Sequence, residues 1–74
     1  MSADELFKIA GEAAEILETM GFTAVARKRD GIVTLECWRP FKGRMRTLCH
    51  TVSDSASLTP ASLAAACDAE LSEA

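Results

Sequence analysis

Two adjacent residues, Asp30 and Gly31, constrain this chain more than any others. They separate FTAVARKR from IVTLECWR, two runs with the composition of β-strands. An Asp-Gly pair between such runs favours a type I′ turn, because both central residues of that turn take positive φ. A two-residue loop then dictates the register. On one face it pairs Arg29 with Ile32, Arg27 with Thr34, Val25 with Glu36 and Thr23 with Trp38. On the other it pairs Lys28 with Val33, Ala26 with Leu35, Ala24 with Cys37 and Phe22 with Arg39. The second set is richer in small and apolar residues and is assigned to the core. Trp38, Arg27 and Arg29 are thereby expected on the outer face.

A helix precedes the hairpin. Ser2 with Glu5 three residues later fits a capping box, and Met1 and Leu6 hold the positions of a hydrophobic staple. At ~100° per residue, Leu6, Phe7, Ile9, Ala10, Ala13, Ala14, Ile16, Leu17 and Met20 fill one half of the wheel. Gly21 is the expected left-handed cap. After the hairpin, a turn through Pro40, Phe41, Lys42 and Gly43 leads to a third strand from Arg44 to Val52. An even-length loop sends Leu48, His50 and Val52 inward and a bulge sends Met45 and Cys49 inward, with Leu48 and Val52 preferred as larger and β-compatible. The polar stretch SDSAS then connects to a second helix, opened by Thr59 as N-cap and Pro60 at the first helical position. Its stripe of Leu63, Cys67 and Leu71 is padded by Ala64, Ala66 and Ala69. The expected fold is α+β, in the order α-β-β-β-α: one domain over residues 1–74, with a three-stranded antiparallel sheet and two helices packed on one face.

The core of such a domain is thin. Of the apolar residues, which form 49% of 74, 13 are Ala, so burial has little large side-chain surface to draw on. No run approaches the ~20 apolar residues of a membrane span. MSADELFK does not read as a signal peptide. Cys37, Cys49 and Cys67 lack CxxC spacing and read as reduced thiols of a cytoplasmic protein. A zinc set of these three with His50 lacks the usual paired-ligand spacing, so no metal or other cofactor is expected.

Charge carries the functional reading. The chain is acidic, at net −3, yet seven of its eight bases lie between positions 27 and 46. Eight acids fall on the two expected helices: Asp4, Glu5, Glu12, Glu15, Glu18, Asp68, Glu70 and Glu73. The domain is therefore expected to be two-faced, with a basic sheet and hairpin opposite acidic helices. Trp and Arg dominate binding hot spots. The candidate partner-binding residues are Arg27, Lys28, Arg29, Trp38, Arg39, Lys42, Arg44 and Arg46. An alternative acidic face comprises Asp4, Glu12, Glu15 and Glu18, able to mimic phosphates in a basic channel.

Catalysis is not expected. Cys49 and His50 are neighbours on a strand and diverge to opposite faces. Glu12, Glu15 and Glu18 share a solvated helix face, without the cleft that pushes carboxylate pKa values apart. Glycine-rich phosphate loops are absent from the sequence.

The order α-β-β-β-α resembles the double-stranded RNA-binding domain across most of the chain. That resemblance implies RNA contacts from the first helix, the first hairpin loop and a basic start to the second helix. Here the hairpin RKRDG has the right charge, whereas the second helix opens TPASLAAAC and the first exposes Glu12, Glu15 and Glu18 beside Lys8. In size, acidity and lack of a catalytic motif, the chain also resembles small inhibitors encoded by phages and mobile elements, such as the anti-CRISPR proteins. This likeness implies a protein that binds a nucleic-acid-handling complex of a host defence system and blocks it. The expected function is thus a non-catalytic protein-binding module. The alternative is a nucleic-acid-binding domain using the basic hairpin and sheet face.

Overall fold

The computed structural model describes residues 1–72; Glu73, assigned above to the second helix, lies outside them. The elements are α1 (Ala3–Thr19), β1 (Thr23–Arg29), β2 (Ile32–Phe41), β3 (Arg44–Thr51) and α2 (Pro60–Ser72). The strands form one antiparallel sheet in the order β1-β2-β3. α1 packs on β1 and β2, α2 packs on β3, and the helices touch each other on the same side of the sheet.

Each element forms for an identifiable local reason. Ser2 Oγ accepts from the Glu5 N–H at 3.2 Å, which satisfies one of the orphan donors of α1. At the other end, Phe22 N–H donates to Leu17 O at 3.0 Å and Gly21 N–H to Glu18 O at 3.1 Å. This is a Schellman closure, and Gly21 takes the positive φ (+93°) that it requires. It folds Phe22 back into the core at 4% exposure. The staple is looser than expected, since Met1 is half exposed and its amine instead meets Asp54 at 2.7 Å.

The first hairpin has the register read from Asp30-Gly31, with φ of 53° and 76° at the turn. The second reversal is tighter than the sequence suggested. β2 runs through Pro40 and Phe41, and Lys42 (φ 50°) and Gly43 (φ 77°) alone make the turn. Pro40 is tolerated because Phe41 and Arg44 close the hairpin, so alternation directs the Pro40 nitrogen toward the β1 side. β1 does not begin until Thr23, opposite Trp38, so no ladder bond is lost there.

The buried cluster lies between the sheet and the helices. Val33, Leu35 and Cys37 of β2 meet Leu17 of α1 and Leu63, Cys67 and Leu71 of α2. Ala10, Ala13 and Ala14 let α1 approach closely. Leu48 and Val52 face inward, as expected. On α2 only Ala64 joins the core among the three alanines named above; Ala66 and Ala69 are exposed. At α2's start, Thr59 Oγ1 accepts from Ser62 N–H at 3.0 Å and Ser62 Oγ from Thr59 N–H at 2.9 Å. Both orphan donors are thus satisfied by a reciprocal cap. Among the described residues, no helix is long and apolar enough to cross a membrane.

Candidate functional site

Both helices cover one face of the sheet, which leaves the other bare. Register assigns to the bare face Thr23, Val25, Arg27 and Arg29 from β1, Ile32, Thr34, Glu36, Trp38 and Pro40 from β2, and Met45, Thr47, Cys49 and Thr51 from β3. Trp38 stands on the central strand, partly buried, between Thr23 and Thr47. Ile32 and Met45 are more than half exposed, at 57% and 58%. Met45 lies diagonal to Trp38 near the Lys42-Gly43 turn, whereas Ile32 lies opposite Arg29 at the other end; Val25 is partly buried opposite Glu36, diagonal to Trp38. Met45 and Val25 thus extend the apolar surface around Trp38, and a contiguous apolar patch of this kind marks a contact surface. Arg27 Nε meets Glu36 Oε2 at 3.3 Å across this face.

The bases do not form the single face expected from their clustering in sequence. They divide between the two ends of the sheet. Over the ten residues of β2, at about 3.3 Å each, the two turns stand about 30 Å apart. Arg27, Lys28 and Arg29 sit at the Asp30-Gly31 end; Arg39, Lys42, Arg44 and Arg46 sit at the Lys42-Gly43 end. They also divide between faces, because alternate residues of a strand point oppositely. Arg27 and Arg29 share the bare face with Trp38, whereas Lys28, Arg39, Arg44 and Arg46 belong to the helix side.

Several of these cations are engaged there. Lys28 Nζ pairs with Asp4 and lies 5.7 Å from the Phe7 ring centroid. The Lys28 hydrogen bond and charge hold the Asp4 carboxyl below its ordinary value. Asp4 is therefore tied to β1 rather than continuing a row with Glu12, Glu15 and Glu18, which are exposed. Arg39 stacks 4.8 Å from the Phe22 centroid and reaches Ser72 Oγ at 3.4 Å. Arg46 stacks 4.7 Å from Phe41 and donates to Leu71 O at 2.7 Å. Lys42 lies 5.4 Å from Phe41. Arg29, Lys42 and Arg44 remain exposed. Neither helix carries a base in its own described last turn, so the β2–β3 hairpin brings cations to the negative end of α2.

The reactive side chains do not converge. Cys37 and Cys67 are wholly buried in the same core cluster. Burial pushes the Cys37 thiol up and the Cys67 thiol up to about 12. Cys49 is exposed on the bare face, while His50 points to the helix side with Nδ1 3.6 Å from Glu70 Oε2. The strand thus separates Cys49 from both His50 and the buried thiol pair. Among the described residues, no three His, Cys, Asp or Glu side chains gather where a metal ion could be held.

Ile32, Val25 and Met45 were not singled out by sequence reasoning. Their signal lay in the register, which places Val25 and Ile32 on the face of Trp38. No protein-family model matches the chain, nor does any curated protein or solved structure.

Proposed function

We propose that this protein is a non-catalytic protein-binding module whose docking surface is the helix-free face of its sheet. The observation that carries this reading is Trp38 on the central strand, between Thr23 and Thr47 and diagonal to exposed Met45 and to Val25, on a face that no helix covers. An aromatic anchor surrounded by smaller apolar and threonine side chains has the composition of an interface centre. Arg27 and Arg29 lie toward one end of that face and supply a polar rim.

In the form suggested by the likeness to phage-encoded inhibitors, the partner is a protein of a nucleic-acid-handling defence complex. Binding there blocks the complex without chemistry. Three free cysteines, two of them buried, suit a reducing compartment such as the cytoplasm.

Trp38 is the only tryptophan, so its fluorescence reports directly on this face. Affinity capture from host lysate, compared between the unaltered chain and Trp38→Ala, is the deciding measurement. The expected result is loss of a specific partner by a variant that keeps its native circular dichroism, with Trp38 emission of the unaltered chain shifting on addition of the purified partner. Retention of the partner by Trp38→Ala refutes the assignment. Titration with short duplex RNA, duplex DNA and single strands at two salt concentrations tests the nucleic-acid alternative. Micromolar binding that weakens steeply with salt and persists in Trp38→Ala favours that alternative.

A further inference from the structure

β3 forms one open edge of the sheet. Its cations, Arg44 and Arg46, lie at one end with their side chains on the helix side, and Arg46 is engaged with Leu71 and Phe41. The rest of the strand carries no charge of the kind that discourages pairing with another strand. Val52 N–H donates to Val33 O at 2.9 Å, and the register continues through Leu35 with His50, Cys37 with Leu48 and Arg39 with Arg46. Even-numbered residues therefore bond to β2, and alternation turns the N–H and C=O groups of Met45, Thr47, Cys49 and Thr51 outward. All four residues are exposed and uncharged. Among the described residues, no backbone group meets them. The strand has neither proline nor bulge.

α2 lies over this strand and leaves two hollows beside it. Arg46, Thr47 and Glu70 line one, of ≈ 330 Å³. His50, Ser62 and Ala66, with serines of the connector, line the other, of ≈ 440 Å³. Both fall within the size range of ligand sites. The side chains of Ser62 and Ala66 are small enough to leave room for a neighbouring chain.

We propose that an extended segment of a partner protein adds to β3 as a fourth, antiparallel strand, running between the strand edge and α2. Main-chain hydrogen bonds supply the affinity, and alternate side chains supply the selectivity. Residues of the segment opposite the even positions of β3 point toward α2. Opposite His50 they meet Ala66 and Ser62, which favours a small apolar side chain. The segment's C-terminal end lies beside exposed Arg44, which favours a carboxylate there. Met45 and Thr47 turn their side chains to the Trp38 face and their main chain to this edge; the proposal uses the main chain alone and does not rest on the Trp38 reading.

A suitable probe is the peptide acetyl-TVTATSTE-amide, with its Glu placed opposite Arg44. Titration to about 1 mM is expected to saturate. Amide exchange at Met45, Thr47, Cys49 and Thr51 is expected to slow about tenfold or more, while the even-numbered amides of β3 change little. Thr47→Pro deletes an outward N–H without removing a bond to β2, and is expected to weaken binding about tenfold or more. Trp38→Ala is expected to leave peptide binding unchanged. Arg44→Glu is expected to disfavour this peptide and favour the version ending in Lys. Absence of new protection at the four amides, or equal binding by a folded Thr47→Pro variant, overturns the proposal. Protection of the same amides without peptide, together with a dimeric mass, overturns it in favour of a second copy at this edge. The exchange readout uses the unaltered chain and therefore holds even if Thr47→Pro fails to fold.

Discussion

The guanidinium of Arg46 donates to the main-chain carbonyl of Leu71 at 2.7 Å, joining the third strand to the last turn of the second helix. Carbonyls at a helix C-terminus lack intrahelical partners and carry partial negative charge. Arg46 answers both needs from a different element, and its side chain also stacks on Phe41. Arg46→Ala is expected to cost about 1 kcal/mol, whereas exposed Arg44→Ala should change stability by less than about 0.5 kcal/mol. Urea denaturation of the two variants provides the comparison. Reversal of both charges together would mix a structural loss with any binding loss.

The three cysteines should react at very different rates. Cys49 is exposed, whereas Cys37 and Cys67 are buried and held protonated. Since the thiolate is the reactive species, a disulfide reagent should modify one thiol promptly in the folded protein and the other two only on unfolding. Counting released thiolate before and after denaturant checks this. Cys49→Ser should remove the fast phase alone.

Stability should plateau near neutrality and fall on both sides. The terminal amine is raised above its ordinary 8.0 by its hydrogen bond to Asp54, so its contribution is full below that pH and is lost as pH rises through the raised value. The buried thiols act in the same direction above their ordinary 9.0, because the unfolded chain then loses protons that the folded chain retains. Asp4, depressed below 3.8 by Lys28, contributes above that value and stops contributing as pH falls through its lower folded pKa. Melting temperatures measured from acid to alkaline buffer should trace this shape. Asp4→Asn should flatten the acid limb.

Two glycines of α1 and its cap should respond oppositely to alanine. Gly21 sits at φ +93°, where a Cβ strains the backbone, so Gly21→Ala should cost about 1–2 kcal/mol. Gly11 lies within the helix, and a Cβ there meets nothing within 4 Å. Gly11→Ala should stabilise by about 0.5–1 kcal/mol. Thermal melts of both variants, read by circular dichroism, test the pair.

Much of the fold was legible because its punctuation is local. Asp30-Gly31 sets a register, Gly21 closes a helix, and Thr59-Pro60 opens one, each by steric or hydrogen-bonding rules confined to a few residues. The second turn was misjudged because Lys42 takes positive φ, which a lysine seldom does, so Pro40 seemed the better corner. The charge pattern misled for a different reason. Arg27 and Lys28, or Trp38 and Arg39, are adjacent in sequence yet point to opposite faces. A count of bases along the chain averages over that alternation, and only the register resolves it. The groups to which Arg39 and Arg46 donate, Ser72 Oγ and Leu71 O, lie on α2, beyond what strand pairing alone can indicate.

Both chain reversals in the sheet use two residues, Asp30-Gly31 and Lys42-Gly43. Every strand is therefore hydrogen-bonded to its immediate neighbour in sequence, with no long loop to close first. The meander can assemble while the rest of the chain is still unstructured, and refolding should be quick for a β-containing protein. The longest span the chain must close is the one that brings α2 against α1, since those contacts join its two ends.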